Sequence, residues 1–254
     1  KRNKRIEFFS LDAFELLNKS WHKEEEFFNF DLSQLKIIGN KYACTSAEID
    51  FLNLTTQDMK DIKLFTQEAK PKVVVPRLCD SSEQSLGHFY YQEELEANFI
   101  QIGNYLIRPF MYFICQGEIN SAIRAAIMLI ADEGLGGKRS QGMGFFKKVQ
   151  EAEMDEEFFA VKEVSHYLSL SSVFPQKEEV ENAVYYKLAE RSGYIYSQQG
   201  RALRKKRVRL FEEGSIFKAK IRGKVIDVRP GWFKEHEVYL DGRAFLIPLG
   251  EVKR

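Results

Sequence analysis

Gly134-Leu135-Gly136-Gly137-Lys138-Arg139-Ser140-Gln141-Gly142-Met143-Gly144 is the stretch on which the fold of this 254-residue chain turns. Five glycines in eleven residues mark a backbone that bends where a Cβ would clash or lies close against another surface, with Lys138 and Arg139 at the crest. Successive exposed N–H groups form a concave anion site, two cations add charge, and the Ser140 hydroxyl and Gln141 amide can bond phosphate, sugar or base edges. A flexible solvated turn is the plain alternative, and the flanking elements decide between the two.

Upstream, Ile119, Ala122, Ile123, Ala126, Ile127 and Ile130 recur at helical spacing, which predicts an amphipathic helix with one continuous buried stripe. Downstream, Phe145 to Val149 reads as a strand, so the order is helix, loop, strand. A Walker phosphate loop or a dinucleotide fingerprint runs strand, loop, helix, with its anion at the helix N-terminus. A loop that follows a helix C-terminus is neither, which excludes an ATPase or dehydrogenase on this motif.

A helix, then Gly-Leu-Gly-Gly-Lys-Arg-Ser-x-Gly-x-Gly-Phe, then a strand resembles the glycine-rich loop of the RAMP superfamily of CRISPR RNA-binding proteins, whose domains are ferredoxin-like. Four further stretches extend the likeness. They are Lys4 to Leu11 with the short helix after it, Phe89-Tyr90-Tyr91, Ser192-Gly193-Tyr194, and Phe211 to Ser215 leading to Gly223 to Pro230. All are similar to the fourth Csm subunit of type III-A effector complexes.

The resemblance implies an α+β fold of two ferredoxin-like (RRM-like) domains with antiparallel sheets. The first, residues 1–154, carries the glycine-rich loop at 134–144 and an insertion around 20–72, and lacks its opening strand and helix; the second is residues 155–254. It also implies a non-catalytic subunit that binds and caps the 5′ handle of the crRNA and docks the large palm-containing subunit. Neighbouring backbone RAMP subunits cut the target RNA, which this subunit meets only indirectly. The implied RNA-binding residues are Gly134, Gly136, Gly137, Lys138, Arg139, Ser140, Gln141 and Gly142 of the loop, with Arg77 and Tyr91 outside it. No cofactor, metal or membrane is expected.

Composition agrees with a globular chain: 44% hydrophobic and 30% charged residues are enough to bury a core, and the length suits two domains. The longest apolar segment, Leu106 to Cys115, contains Arg108 and Pro109 and is too short to span a bilayer, and no charged-then-apolar leader opens the chain, so a cytoplasmic protein is expected. Cys44, Cys79 and Cys115 are isolated, which supports neither a disulfide framework nor a Cys-x-x-Cys metal site and predicts buried apolar roles. A net charge of +1 argues against indiscriminate nucleic-acid binding, so the distribution of charge matters more. Arg201 to Arg209 holds six cations in nine residues and Glu151 to Glu157 five acids in seven. Each is a solvated face or a docking surface, the basic one for RNA or an acidic partner.

Along the chain, a short strand from Arg5 to Phe9 leads to a helix from Leu11 to Asn18 that Ser10 can cap. The polar stretch from Thr55 to Lys72 reads as an insertion running over the surface, and Val73 to Val75 as a strand. Tyr90 and Tyr91 face opposite sides of a strand, one towards a core and the other open to stack on a base. Tyr105 to Cys115 is predicted as a long strand and Gln176 to Glu190 as a helix. Asp241-Gly242 reads as the turn of a two-residue hairpin.

A CRISPR repeat-cleaving endoribonuclease is the alternative function, and such catalysis needs a titrating group near the 2′-OH, usually histidine. None of His22, His88, His166 and His236 lies in the glycine loop or at zinc-ligand spacing, and His88, beside Tyr90, is the best candidate for a base.

Overall fold

The computed structural model describes residues 6, 8–19, 32–39, 41–73, 89–154, 159–195 and 203–252. It is an α+β protein whose strands pair antiparallel, in two compact units. The first comprises Lys1–Glu7, Ile37–Tyr42 and Ala47–Met154, and the second Phe8–Lys36, Ala43–Ser46 and Asp155–Arg254. Where the sequence suggests a single cut near residue 155, the early segment Phe8–Lys36 groups with the C-terminal part.

The reason lies at the ends of the second unit. Strand β1 (Phe8–Phe9) enters helix α1 (Leu11–Lys19), where the Ser10 hydroxyl accepts the N–H of Ala13 at 3.1 Å, the expected cap. At the other end of the helix, buried Asn18 accepts the backbone N–H of Gly250 at 3.0 Å, a long-range bond that holds α1 against the C-terminal strand. Strands β2 (Leu35–Ile38) and β3 (Tyr42–Thr45) follow, giving the sheet order β1-β3-β2.

The first unit continues through α2 (Ser46–Leu52) and α3 (Thr56–Asp61) to β4 (Phe65–Val73). The stretch expected as a surface insertion is therefore regular structure. Its missed signal is a capping box: Thr55 Oγ1 accepts the Asp58 N–H at 3.1 Å, and the Asp58 carboxylate accepts the Thr55 N–H at 2.9 Å. Strand β5 (Phe89–Ala97) pairs with β4 along its whole length, and β6 (Ile100–Ile102) with β7 (Tyr105–Ile107). Because β4–β5 is a two-stranded ribbon, neither Tyr90 nor Tyr91 is core; they are 40% and 67% exposed.

The long strand expected to Cys115 stops at Ile107, two residues before Pro109, which has no N–H to give a ladder. Helix α4 (Ser121–Glu133) is present, its N-cap Asn120 accepting the Ile123 N–H at 2.9 Å. Its apolar stripe is not buried within the described chain, since Ile123 and Ile130 are 42% and 46% exposed and Ala131 alone is buried. The segment after the loop is not a strand either: Phe146 donates its N–H to Ala131 O at 2.9 Å, which returns it alongside the helix end.

In the second unit, β8 (Val161–Ser169) is followed by β9 (Ala183–Tyr185) and β10 (Leu188–Arg191). These two strands, with a short 3-10 turn at Lys177–Asn182, replace the predicted helix over 176–190. The Val184-Tyr185-Tyr186 stretch favours pleated surface over helix, and tertiary pairing decides the matter. Next come β11 (Tyr194–Ile195), β12 (Leu203–Arg204), β13 (Val208–Phe211), β14 (Ile216–Phe217), β15 (Gly223–Asp227), β16 (Tyr239–Arg243) and β17 (Leu246–Val252).

The main sheet has the order β17-β8-β14-β9. Its core is Val173, Phe211, Phe217 and Ile221, with the Phe211 and Phe217 rings edge to face at 5.4 Å. Asp241-Gly242 is no turn: it lies inside β16, with Gly242 opposite Lys224. Gly242 is needed for another reason, because a Cβ there would stand 2.5 Å from Phe174 Cβ and 2.8 Å from its N.

The cysteines divide. Cys44 is buried, Cys115 is exposed, contrary to expectation, and Cys79 lies outside the described residues.

Candidate functional site

The glycine loop starts where α4 ends. Gly134 closes the helix at φ 91°, its N–H donating to Ile130 O at 2.8 Å. Leu135 then donates its N–H to Gly144 O at 2.9 Å, tying the two ends of the loop together. That closure explains two of the five glycines: a Cβ on Gly134 would lie 2.6 Å from Met143 O, and one on Gly144 would lie 2.0 Å from Leu135 O.

The other three glycines are not required by any contact with the described residues. Gly136, Gly137 and Gly142 have no described atom within 4 Å of an added Cβ. Gly136 and Gly142 have φ of 113° and 75°, whereas Gly137 is not at positive φ, so its backbone places no demand for glycine. A short 3-10 turn at Arg139–Gln141 forms the crest, with Gln141 N–H donating to Lys138 O and Gly142 N–H to Arg139 O. The N–H groups of Gly136, Gly137, Lys138, Arg139 and Ser140 have no backbone acceptor among the described residues. Five consecutive donors without a backbone partner among the described residues, on a turning backbone beside open space, are the elements of an anion cradle.

The cations at the crest are unequal. Arg139 Nη1 lies 3.1 Å from Glu133 Oε2 in the last turn of α4, while Lys138 has no carboxylate within salt-bridge distance among the described residues. Six residues separate Glu133 from Arg139, no helical spacing, so the pair leaves no periodic trace in the sequence. On the far side of the loop Arg124 clasps Glu151 through two bonds, Nε to Oε1 at 2.6 Å and Nη2 to Oε2 at 2.9 Å. The Arg124 guanidinium holds the Glu151 carboxyl below the usual carboxylate range, and the fork braces the helix against the segment that leaves the loop.

Of the sequence-predicted site residues, the structure brings Gly134, Gly136, Gly137, Lys138, Arg139, Ser140, Gln141 and Gly142 into one loop, with Gln141 exposed. The Ser140 side chain and Arg77 lie outside what the structure describes, as does His88. Tyr91 belongs to a different element, the β4–β5 ribbon, where its ring meets Phe89 edge to face at 5.4 Å. Among the described residues no group of three or more His, Cys, Asp or Glu side chains could hold a metal ion. No described helix is long and apolar enough to cross a membrane.

Comparison with known proteins follows the same lines. Residues 162–249 match the family model for the CRISPR Csm4 C-terminal domain. Across 96% of its length the chain is 29% identical to a CRISPR system Cms protein Csm4 of Methanocaldococcus jannaschii, covering 72% of that protein. A Csm4 of Mycobacterium tuberculosis is 30% identical over 46% of the chain and 39% of its own length. Among solved structures, a chain of the Csm3–Csm4 subcomplex of the type III-A CRISPR-Cas interference complex superposes with a TM-score of 0.60 at 24% identity, over 94% of this chain and 72% of that one.

Proposed function

We propose that this chain is a Csm4-family subunit of a type III-A CRISPR Csm complex, a non-catalytic RNA-binding subunit that holds and caps the 5′ handle of the crRNA; the match of its C-terminal part to the Csm4 family model and its 29% identity to a Csm4 along 96% of its length support the reading. The observation that carries the reading is the crest of the glycine loop. Five consecutive N–H groups, Gly136 to Ser140, have no backbone acceptor among the described residues, with Lys138 in their midst and open space over Gly136 and Gly137. Bare glycine backbone lets a phosphate come within hydrogen-bond distance of the main chain, and Lys138 supplies the charge. Such contacts fix the register of an RNA strand; reading of its bases falls to stacking and edge contacts elsewhere, for which exposed Tyr91 and the Arg77 segment are the candidates.

The same reading supports the rest of the role. The subunit sits at the crRNA end of an assembly, docks the large palm-containing subunit and the backbone RAMP subunits, meets target RNA through them, and acts in the cytoplasm. The architecture proposed for it is a pair of ferredoxin-like domains, a finer statement than the α+β fold itself.

Filter binding of 5′-handle RNA to the assembled complex, with the chain in its parent form and with Lys138→Ala, tests the proposal across a salt series. Each phosphate contact on a single strand contributes roughly 0.7 to the slope of log affinity against log salt. Loss of about that much in the variant is expected, and an unchanged slope would remove the loop from the site. Incubating repeat RNA with the purified chain without metal tests the non-catalytic part: intact RNA is expected, and cleavage abolished by His88→Ala would establish the endoribonuclease instead.

A further inference from the structure

Part of the basic run finds its place on a small hairpin. Tyr194 of β11 and Arg204 of β12 are directly opposed in an antiparallel pair. The Arg204 guanidinium carbon lies over the Tyr194 ring, 5.6 Å from its centroid, and Nη2 is 3.4 Å from the phenolic oxygen. The neighbouring pair is Gly193 and Lys205, where the Lys205 N–H donates to Gly193 O at 3.0 Å. A Cβ on Gly193 would stand 3.4 Å from Lys205 Cε, so the bare glycine gives the lysine stem its seat. Arg207 beyond them is paired with Glu190 at 3.1 Å, but Arg204 and Lys205 have no carboxylate within salt-bridge distance among the described residues.

Folding does not ask for this arrangement. A two-stranded pair this short has no stability of its own, and an exposed cation–π contact adds about 0.5–1 kcal/mol. Yet Tyr194 remains 62% exposed, flanked by cations. The guanidinium carbon lies over the ring, and the residue as a whole stays 62% exposed, which leaves aromatic surface open to a further stacking partner. An acidic peptide would use the charges and leave that surface unused. A nucleic acid strand uses both, because every base has a π-face to stack on the ring and a phosphate on either side.

We propose that Tyr194, held by Arg204, is a stacking platform for one base of single-stranded RNA, with Arg204 and Lys205 neutralising the flanking phosphates. This is a second RNA contact, distinct from the glycine loop, and it rests on the reading of the chain as an RNA-binding subunit. A ring already held in place loses little freedom on binding, so the stacking energy is retained as affinity.

The test is fluorescence anisotropy of a labelled oligouridylate titrated with the assembled complex. It is run with the chain in its parent form and as Tyr194→Ala, Tyr194→Phe, Arg204→Ala and Lys138→Ala, with a thermal melt of each. Tyr194→Ala is expected to weaken binding roughly tenfold at an unchanged salt slope, as loss of one stacked base does, and Tyr194→Phe to bind within about twofold of the parent. Arg204→Ala is expected to lower the salt slope by about 0.7. A 4-thiouridine probe should crosslink to the peptide containing Tyr194, and Tyr194→Phe, which keeps ring and fold, guards against a folding defect. If Tyr194→Ala binds like the parent while Lys138→Ala weakens binding, the platform is wrong and the RNA-binding reading stands. If the parent complex binds no RNA, both fall.

Discussion

Arg139 Nη1 sits 3.1 Å from Glu133 Oε2, so one of the two cations at the crest of the glycine loop is already tied to the helix beneath it. Both side chains are about half exposed, where such a pair is worth less than about 1 kcal/mol and salt screens it. The pairing is weak enough to be exchanged for a phosphate, yet strong enough to make the two cations unequal. In handle-RNA binding, Lys138→Ala should therefore lower the salt slope by about 0.7 and Arg139→Ala by less. Glu133→Ala, by freeing Arg139, should raise it. Equal slopes for Lys138→Ala and Arg139→Ala would show that the Glu133 contact does not persist in solution.

The five glycines should separate into two classes. Gly144→Ala places a Cβ against Leu135 O in a backbone at φ 79°, and should lower stability by about 1–3 kcal/mol in denaturant titration. Gly137→Ala meets nothing among the described residues and has no positive φ, so its melt should match the parent while handle binding weakens. A melt lowered as much by Gly137→Ala as by Gly144→Ala would contradict the geometry.

In the second unit, Glu179 joins three backbone sites through one carboxylate. Oε1 accepts the Arg222 N–H at 2.7 Å, and Oε2 accepts the N–H groups of Gln176 at 2.8 Å and Gly223 at 3.1 Å. Burial pushes the carboxyl pKa up, but the three donors outweigh it and hold it below the ordinary glutamate value. A depressed folded pKa gives stability that is complete above the ordinary glutamate range and is lost as pH falls through the folded value. Glu179→Gln should cost about 2 kcal/mol at neutral pH and flatten the dependence of stability on pH in that acidic window. An acid-unfolding profile identical to the parent's would remove Glu179 from the account.

Gly242 is a test of close packing without any role in a turn. Gly242→Ala would drive its Cβ to 2.5 Å from Phe174 Cβ, next to the bond from Phe174 N–H to Gly242 O at 2.9 Å. Because the obstacle includes Phe174 backbone, relief requires movement of the segment that carries it, and a loss of about 1–3 kcal/mol is expected. A variant as stable as the parent would mean that the β15–β16 pair shifts freely against Phe174.

Much of this chain was legible from local patterns. The helix before the loop, the Ser10 cap on α1 and the glycine punctuation of 134–144 follow from propensity, capping chemistry and 3.6-residue spacing, all of which act within a few residues. The loop as a backbone that closes on itself was likewise readable, because only glycine tolerates the angles at Gly134, Gly136, Gly142 and Gly144.

What the sequence alone could not decide were relations between distant residues. Asp241-Gly242 carries the local chemistry of a turn, but Val225 and Lys224 of β15 pair with it, within five successive β15–β16 pairs that make it the interior of a strand. The apolar positions of 176–190 fit a helix until pairing with β13 and β14 claims them. Whether α4's stripe is covered, whether Arg139 is free, and which glycines serve closure and which leave room for a ligand all depend on atoms brought together by packing. Local rules determined which segments could turn, cap or coil. Tertiary structure alone decided which of those groups were already spent on one another and which were left open to a ligand.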